Sequence, residues 1–164
     1  MGSSVGHLLH RLTAAGAIFG GLVLVALILV TIASILGRAL FALPVPGDYE
    51  LVELGVATAV FAFLPYCQMQ RGHVVVDLFT MRAPPALRAA LDRLGGLIFA
   101  GIAALLCWRL WLGGLDYRLY QETSMILGLP VWWGFVPATF FCALLALTAL
   151  YTAFGPALNE ERQG

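Results

Sequence analysis

Four long apolar stretches, separated by short segments rich in charge, proline and glycine, organise the chain. The first contains 26 uncharged residues between Arg11 and Arg38, and the last lies within a 37-residue stretch without charge from Thr123 to Asn159. About 20 predominantly apolar residues are enough for a helix to cross the ~30 Å hydrocarbon core of a bilayer. We therefore predict transmembrane helices at residues 12–40, 49–70, 87–112 and 130–154, forming one all-α domain over residues 1–164.

The breaks between these stretches carry helix-ending and helix-starting signals. Pro44, Pro46 and Gly47 interrupt the pattern after the first stretch, because proline and glycine do not continue a helix. Asp48 follows them and is a residue type that caps helix N-termini. We expect helix 2 to begin there.

An amphipathic segment precedes helix 3. Leu87, Leu91 and Leu94 share one face of a helical projection, whereas Arg88 and Asp92 lie on another. An apolar face opposite a charged one is typical of helices at a membrane surface. The pattern predicts a short interfacial helical segment between helices 2 and 3.

The composition agrees with a membrane protein. The 164 residues are 61% hydrophobic and 11% charged, whereas soluble domains carry about 25% charged residues. The net charge is zero and lysine is absent, so nothing attracts the chain to nucleic acid, and membrane lipids are its expected surroundings. The three cysteines are widely spaced and are interpreted as small buried hydrophobic residues: Cys67, Cys107 and Cys142.

Arginine positions predict the orientation. The side with both termini and the 2–3 loop holds six arginines, namely Arg11, Arg71, Arg82, Arg88, Arg93 and Arg162, and the other side holds Arg38, Arg109 and Arg118. Loop arginines favour the cytoplasmic side, so both termini are predicted to be cytoplasmic. All four tryptophans then lie near the outer surface, as in an aromatic belt: Trp108, Trp111, Trp132 and Trp133.

Charged residues near the outer ends of helices 1 and 2 form one candidate site. Glu50 and Glu53 lie three residues apart on one helix face, and Arg38 ends helix 1. Intramembrane carboxylates often mark ion or proton pathways. Because both acids lie near the helix end, we favour a structural interpretation, in which Arg38 pairs with them and fixes helix 1 against helix 2.

The exit of helix 2 carries Cys67, Arg71, His73 and Asp77. Their spacing does not match the paired ligands of structural zinc sites, so no metal is expected. Arg71 and His73 suit anionic headgroups, and Asp77 suits hydrogen bonds within a turn.

Small residues recur at four-residue spacing in two helices: Gly16 and Gly20 in helix 1, and Gly96, Ala100 and Ala104 in helix 3. Such spacing lets helix backbones approach closely in lipid, and these residues are helix-contact candidates. Around the outer segment between helices 3 and 4, Arg109, Arg118 and Glu122 are candidates for contact with an anionic substrate or a partner protein, with snorkelling as the alternative for Arg109.

No catalytic or cofactor pattern is present in the sequence. His7, His10 and His73 all lie outside the middle of a span, which argues against a haem held by two histidines. A Ser-His-Asp arrangement and a phosphate-binding loop are also absent. We expect neither an enzyme nor a bound cofactor.

Two stretches carry a resemblance to a known family: GDYELVELGVATAVFAFLPYCQMQRGHVVVDLF (residues 47–79), preceded by Arg38, and ETSMILGLPVWWGFVPATFF (residues 122–141). They resemble the small membrane subunit of tripartite ATP-independent periplasmic (TRAP) transporters, the DctQ-type small permease. The most specific pieces are the acids Glu50 and Glu53, the motif from Arg71 through His73 to Asp77, and the Leu129-Pro130-Val-Trp132 start of helix 4.

The resemblance implies a role in a three-part system of the bacterial inner membrane. A periplasmic substrate-binding protein captures an organic anion, a large membrane subunit moves it with sodium, and the small subunit braces the large one. The outer surface with Arg109, Arg118 and Glu122 would then help to dock the binding protein. The alternatives are an autonomous four-span exporter or channel protomer and the membrane anchor of a redox complex.

Overall fold

Four long helices make up the computed structural model, which describes residues 2–42, 45–70 and 85–154. They are α1 (Gly2–Phe41), α2 (Asp48–Met69), α3 (Pro85–Leu119) and α4 (Trp132–Phe154). Each is long and apolar enough to cross a membrane. The predicted all-α protein with four spanning helices is confirmed, whereas the side of the membrane on which the termini lie stays a prediction.

Two helices are longer than a bilayer requires. α1 contains 40 residues, so it extends about 60 Å, twice the ~30 Å thickness of the hydrocarbon core. α3 contains 35 residues and includes the amphipathic segment around Leu91 and Leu94, which is continuous with the span. These two helices must tilt strongly or project beyond the core.

The outer part of α3 differs from the expected end near residue 112. The helix continues seven residues further, to Leu119, through Gly113 and Gly114. A Cβ atom on Gly113 would lie 3.2 Å from Phe135 Cε1, and one on Gly114 would lie 3.0 Å from Phe135 Cβ. The two glycines therefore admit the Phe135 side chain, and packing on α4 outweighs their weak helix propensity.

The helices pack in the order α1, α2, α4, α3. Among the described helices, α2 contacts both α1 and α4, α3 packs extensively only on α4, and contact between α1 and α4 is slight. α4 is the most buried helix, whereas α1 and α3 are the least buried. The molecule is thus a row of helices with α1 and α3 at its two edges.

Small residues line the contact between α1 and α2. A Cβ atom on Gly20 would lie 3.1 Å from Ala62 Cβ and 3.2 Å from the Ala59 carbonyl oxygen. A Cβ atom on Gly16 would lie 2.9 Å from Cε1 of Phe141, which belongs to α4. Ala59 and Ala62 are fully buried. Close backbone approach is therefore the means by which α1 joins the row.

The contact between α3 and α4 uses the same principle. A Cβ atom on Gly96 would lie 2.9 Å from Ala153 Cβ, and Ala100 and Ala103 are buried. The Cys142 thiol donates to the Ala103 carbonyl at 3.4 Å. Ala104, in contrast, is exposed. The helix-contact surface of α3 therefore passes through Ala103 rather than Ala104.

A side-chain hydrogen bond joins the C-terminal end of α2 to the C-terminal end of α4. Gln68 Nε2 donates to Thr152 Oγ1 at 2.9 Å, and Gln68 is buried. An interhelical hydrogen bond of this kind stabilises helix association in a membrane by about 1 kcal/mol.

Candidate functional site

The end of the row at which α1 and α3 finish and α2 and α4 begin is termed the outer end, after the predicted orientation. Residues 120–131, which connect α3 to α4 there, are termed the outer loop. Most of the sequence-predicted charged candidates lie at this end: Arg38, Glu50, Glu53, Arg118 and Glu122. The outer end is therefore the candidate functional site.

Glu50 ties α2 to the outer loop. Its carboxylate accepts hydrogen bonds from the backbone N–H groups of Ile126 and Leu127, at 2.8 and 2.9 Å. The Ser124 side chain and the Met125 amide also face this carboxylate. A carboxylate that accepts several N–H donors forms strong, charge-assisted bonds. Glu50 thereby holds the tip of a loop that lies 76 residues away in the sequence.

The outer loop also has internal bonds that shape it. Ser124 N–H donates to the Leu129 carbonyl at 2.8 Å, and Leu129 N–H donates to Ser124 Oγ at 3.1 Å. Thr123 and Pro130 form an isolated antiparallel bridge. Gly128 has a φ of 63°, a left-handed conformation that glycine adopts without strain. The loop is thus a closed turn that presents Met125, which is fully exposed, at its tip.

Gly47 fits this loop against the start of α2. It has a φ of 74° and precedes the first residue of the helix. A Cβ atom at this position would collide with the Leu127 side chain. Glycine therefore serves both the backbone conformation and the close contact with the loop.

Asp48 serves both the start of α2 and the contact with α1. It is the first residue of α2, one position after the N-cap Gly47, and its Oδ1 accepts a 2.9 Å hydrogen bond from the Tyr49 N–H. Its Oδ2 accepts a 2.6 Å hydrogen bond from Ser34 Oγ of α1, and Ser34 Oγ accepts a 3.3 Å bond from Val45 N–H. The carboxylate expected to cap α2 therefore bonds a backbone amide of the first turn and also links α2 to α1.

Arg38 does not pair with the carboxylates as expected. Among the described residues, Glu50 is bonded to the outer loop, and no ion pair joins Arg38 to Glu50 or Glu53. Arg38 and Glu53 are both exposed. The link between α1 and α2 at the outer end is the bond between Ser34 and Asp48, which leaves Arg38 and Glu53 accessible to a partner.

Arg118 and Glu122 lie at the level of the outer loop. The Arg118 guanidinium lies 5.4 Å from the ring centroid of Trp132, in a cation–π contact between the end of α3 and the start of α4. Both Arg118 and Glu122 are exposed. Their side chains are therefore accessible on the surface of the outer end.

Arg109 lies deeper than the other outer candidates. It precedes Arg118 by nine residues, or about 14 Å along α3. Two turns nearer the outer end, Tyr117 packs on Phe135 of α4 with ring centroids 5.1 Å apart. Cys107, next but one to Arg109, donates to the Thr139 carbonyl, well inside α4. Arg109 is thus an exposed cation on the spanning part of α3. Trp111 precedes Arg118, the neighbour of Trp132, by seven residues, or about 10 Å, so Trp108 and Trp111 lie deeper than Trp132 and the expectation of one belt with all four tryptophans was wrong.

The sequence of residues 27–158 matches the family described as tripartite ATP-independent periplasmic transporters, DctQ component. This range covers well over half of the chain. The chain belongs to the DctQ family. No match is found among curated proteins or solved structures.

Membership of the DctQ family makes the chain a component of a TRAP transporter and a multi-pass membrane protein. The matched range contains α2, α3, the outer loop and α4 completely, but only the last 15 of the 40 residues of α1. Glu50 and its loop partners lie within this range, whereas Gly16 and Gly20 precede it. The outer end is thus inside the DctQ region.

Part of the resemblance to the DctQ family lies outside the described residues. Arg71, His73 and Asp77 fall there, so the hypothesis about the exit of helix 2 rests on sequence alone. Cys67, just before them, is exposed, and the expectation that it is buried was wrong. In the described part of the chain, no group of three or more His, Cys, Asp or Glu side chains is placed to hold a metal ion.

Two residues of the outer end have no role that the sequence predicts. Ser34 lies within an apolar run, and Ser124 lies in a connecting segment. A polar residue in an otherwise apolar DctQ helix was a usable signal, because a hydroxyl at that depth needs a hydrogen-bond partner. The Ser124 contact had no local signal, since its partner Glu50 is far away in the sequence.

Glu50→Ala is expected to loosen the outer loop, because the Ile126 and Leu127 amides lose their acceptor. Hydrogen–deuterium exchange of peptides from residues 120–131 should then be severalfold faster at these two amides. Glu53→Ala is the matched control, since Glu53 is exposed on the same helix and should leave the exchange unchanged. Equal exchange in the two variants would contradict the role of Glu50 in holding the outer loop on α2.

Proposed function

We propose that this chain is the small subunit that braces the large membrane subunit of a sodium-coupled TRAP transporter in the bacterial inner membrane. The transported substrate would be an organic anion captured by a periplasmic substrate-binding protein. In this proposal the chain is neither an enzyme nor the conduit for the substrate. Membership of the DctQ family supports the placement of this chain in a TRAP transporter. The interior of the helix row supports the proposal that the chain braces the large subunit and does not conduct the substrate.

The observation that carries this proposal is the hydrogen bonding of the buried polar side chains. Each buried polar side chain in the described part is hydrogen-bonded within the chain, and none of them is charged: Thr13, Ser34, Thr58, Gln68 and Thr148. A pathway for an anion needs polar or charged groups that remain available to the solute. The buried polar groups of the described part are instead occupied by hydrogen bonds within the chain.

A groove between α1 and α2 fits the same interpretation. It has a volume of about 250 Å³, and its lining is apolar except for Thr31: Leu24, Leu27, Ile28, Thr31, Ile32, Val52 and Val56. The Thr31 hydroxyl donates to the Leu27 carbonyl at 2.8 Å. This groove provides space but no charge to bind an organic anion.

The outer end is proposed to contact both the periplasmic binding protein and the large membrane subunit. Arg118, Glu122 and the exposed tip of the outer loop form the surface to which the periplasmic binding protein would dock. Arg38 and Glu53 are accessible and are proposed to support assembly with the large subunit. We propose no docking role for Arg109, because it lies about 14 Å further into the row than Arg118.

Reconstitution tests the bracing role. Proteoliposomes would contain this chain alone, the large subunit of its system alone, or both, with the binding protein and a panel of radiolabelled carboxylates under a sodium gradient. We expect uptake only when both membrane subunits are present, and copurification of the two from detergent. Solute flux through the chain alone would favour the channel or exporter, and a haem absorbance band would favour the redox anchor.

A further inference from the structure

Arg109 is in an unfavourable place for a helix that faces only lipid. It is exposed on α3, an edge helix of the row, and the residues that flank it on the same face are also exposed: Ile98, Ile102, Leu105, Leu112 and Asp116. Ionisable residues within membrane spans are rare, costly, and almost always face protein or water rather than lipid. The surroundings of Arg109 therefore need an explanation.

No acidic neighbour on its own helix neutralises Arg109. The positions one turn away are Leu105, Leu106, Leu112 and Gly113, and side chains interact along a helix at spacings of three and four residues. Asp116 is two turns away. In the part of the chain that the structure describes, Arg109 has no ion-pair partner.

The direction of α3 makes snorkelling difficult for this residue. Every Cα–Cβ bond in an α-helix tilts toward the helix N-terminus. α3 ends at the outer end, so the Arg109 side chain leaves the backbone toward the interior of the membrane, away from the nearer surface. Its guanidinium must turn back on itself to reach the outer headgroups.

The opposite edge of the row has none of these features. The exposed face of α1 contains Leu22, Leu29 and Leu36, and no charged residue lies between Arg11 and Arg38. This face suits lipid tails without a protein neighbour. The two edges of the row therefore differ in the chemistry that they present to their surroundings.

We propose that the exposed face of α3 around Arg109 binds the large membrane subunit, and that Arg109 pairs there with a carboxylate of that subunit. This inference rests on the proposed bracing function and adds the surface and the contact. A second copy of this chain is a poor occupant of the face, because a symmetric α3–α3 contact brings two Arg109 cations together. In this arrangement the apolar face of α1 with Leu22 and Leu29 faces lipid, and Arg38, at the outer end of α1, lies beyond that face.

Photocross-linking tests which edge meets the large subunit. p-Benzoylphenylalanine would replace Leu105 or Leu112 on α3, and Leu22 or Leu29 on α1 as matched exposed positions. Both subunits would be expressed together and irradiated in the membrane. We expect an adduct with the large subunit from the α3 positions and not from the α1 positions.

Substitution of Arg109 tests the charge pair. Arg109→Gln should lower the amount of copurified large subunit about tenfold, whereas Arg109→Lys, which keeps the charge, should retain most of it. Arg118→Gln is the control for loss of an exposed arginine on the same helix. The level and thermal stability of the small subunit purified alone should not fall, because the variant removes a charge from an exposed membrane position.

The outcomes separate the two proposals. If the wild-type chain does not copurify with the large subunit at all, the bracing function fails. If the wild-type complex forms but adducts arise from α1, from lipid only or between two copies of this chain, the α3 surface is wrong. Wild-type yield of the complex with Arg109→Gln would overturn the charge pair.

Discussion

Gly20→Leu is expected to push α1 away from α2 and to lower the free energy of unfolding by about 1 to 3 kcal/mol, the usual cost of overpacking a tight contact. The first added atom would already lie 3.1 Å from Ala62 Cβ and 3.2 Å from the Ala59 carbonyl oxygen. The carbonyl belongs to a helix backbone and cannot rotate away. The helices must therefore separate, which exposes the bond between Ser34 and Asp48 to competition from water.

Gly21→Leu is the matched control for this effect. Gly21 is the next residue on α1, and nothing lies within 4 Å of the position that its Cβ atom would occupy. The same glycine-to-leucine change in helix propensity is therefore made without overpacking. Thermal unfolding of both variants in detergent measures the difference. Equal midpoints for the two variants would show that close approach at Gly20 does not hold α1 in the row.

The spanning helices could be predicted from the sequence, but the pairs of helices that pack together could not. Long uncharged runs require a spanning helix whatever lies beside them, and all four predicted spans correspond to helices of the structure. The four-residue spacing of Gly16 and Gly20 indicated a contact face. Which helix covers that face could not be predicted, because Ala59 and Ala62 are two among many alanines in the chain.

The charged residues show a second limit. Glu50, Glu53 and Arg38 lie next to predicted helix ends, and their proximity in the sequence predicts that they pair. In the structure, the Glu50 carboxylate instead accepts hydrogen bonds from the backbone N–H groups of Ile126 and Leu127. Every residue except proline has a backbone N–H donor, so the sequence does not show which of these donors a carboxylate will contact. A contact with them can be found only once the outer loop is placed over α2.

The end of α3 was missed for a related reason. Two adjacent glycines, Gly113 and Gly114, predict a helix end when they are judged by propensity alone. Their missing side chains make room for Phe135, and this contact lies in a different helix. A local rule therefore failed where tertiary packing decided the outcome. The same long-range contact fixes the depth of Arg109 relative to α4.

Gly96→Leu is expected to detach α3 from the row, because α3 packs extensively on α4 alone. A Cβ atom at Gly96 would lie 2.9 Å from Ala153 Cβ and 3.3 Å from Ala153 Cα, so the obstacle includes the backbone of α4. We expect a loss of about 1 to 3 kcal/mol in the free energy of unfolding. The loss of α3 from the row should be visible as faster proteolysis of the chain in detergent.

Gly95→Leu is the control for this second substitution, since nothing lies within 4 Å of the Cβ position at Gly95. It should melt no lower than the wild type, because leucine has a higher helix propensity than glycine, and it should keep the wild-type proteolysis rate. If the face of α3 around Arg109 binds the large subunit, Gly96→Leu should also reduce copurification of that subunit. Gly95 is exposed on that same face, seven residues before Ile102, so Gly95→Leu is the control for stability and not for copurification. A Gly96→Leu chain that melts like the wild type would mean that the contact between Gly96 and Ala153 is dispensable. Reduced copurification with an unchanged melt would instead place Gly96 itself in the contact with the large subunit.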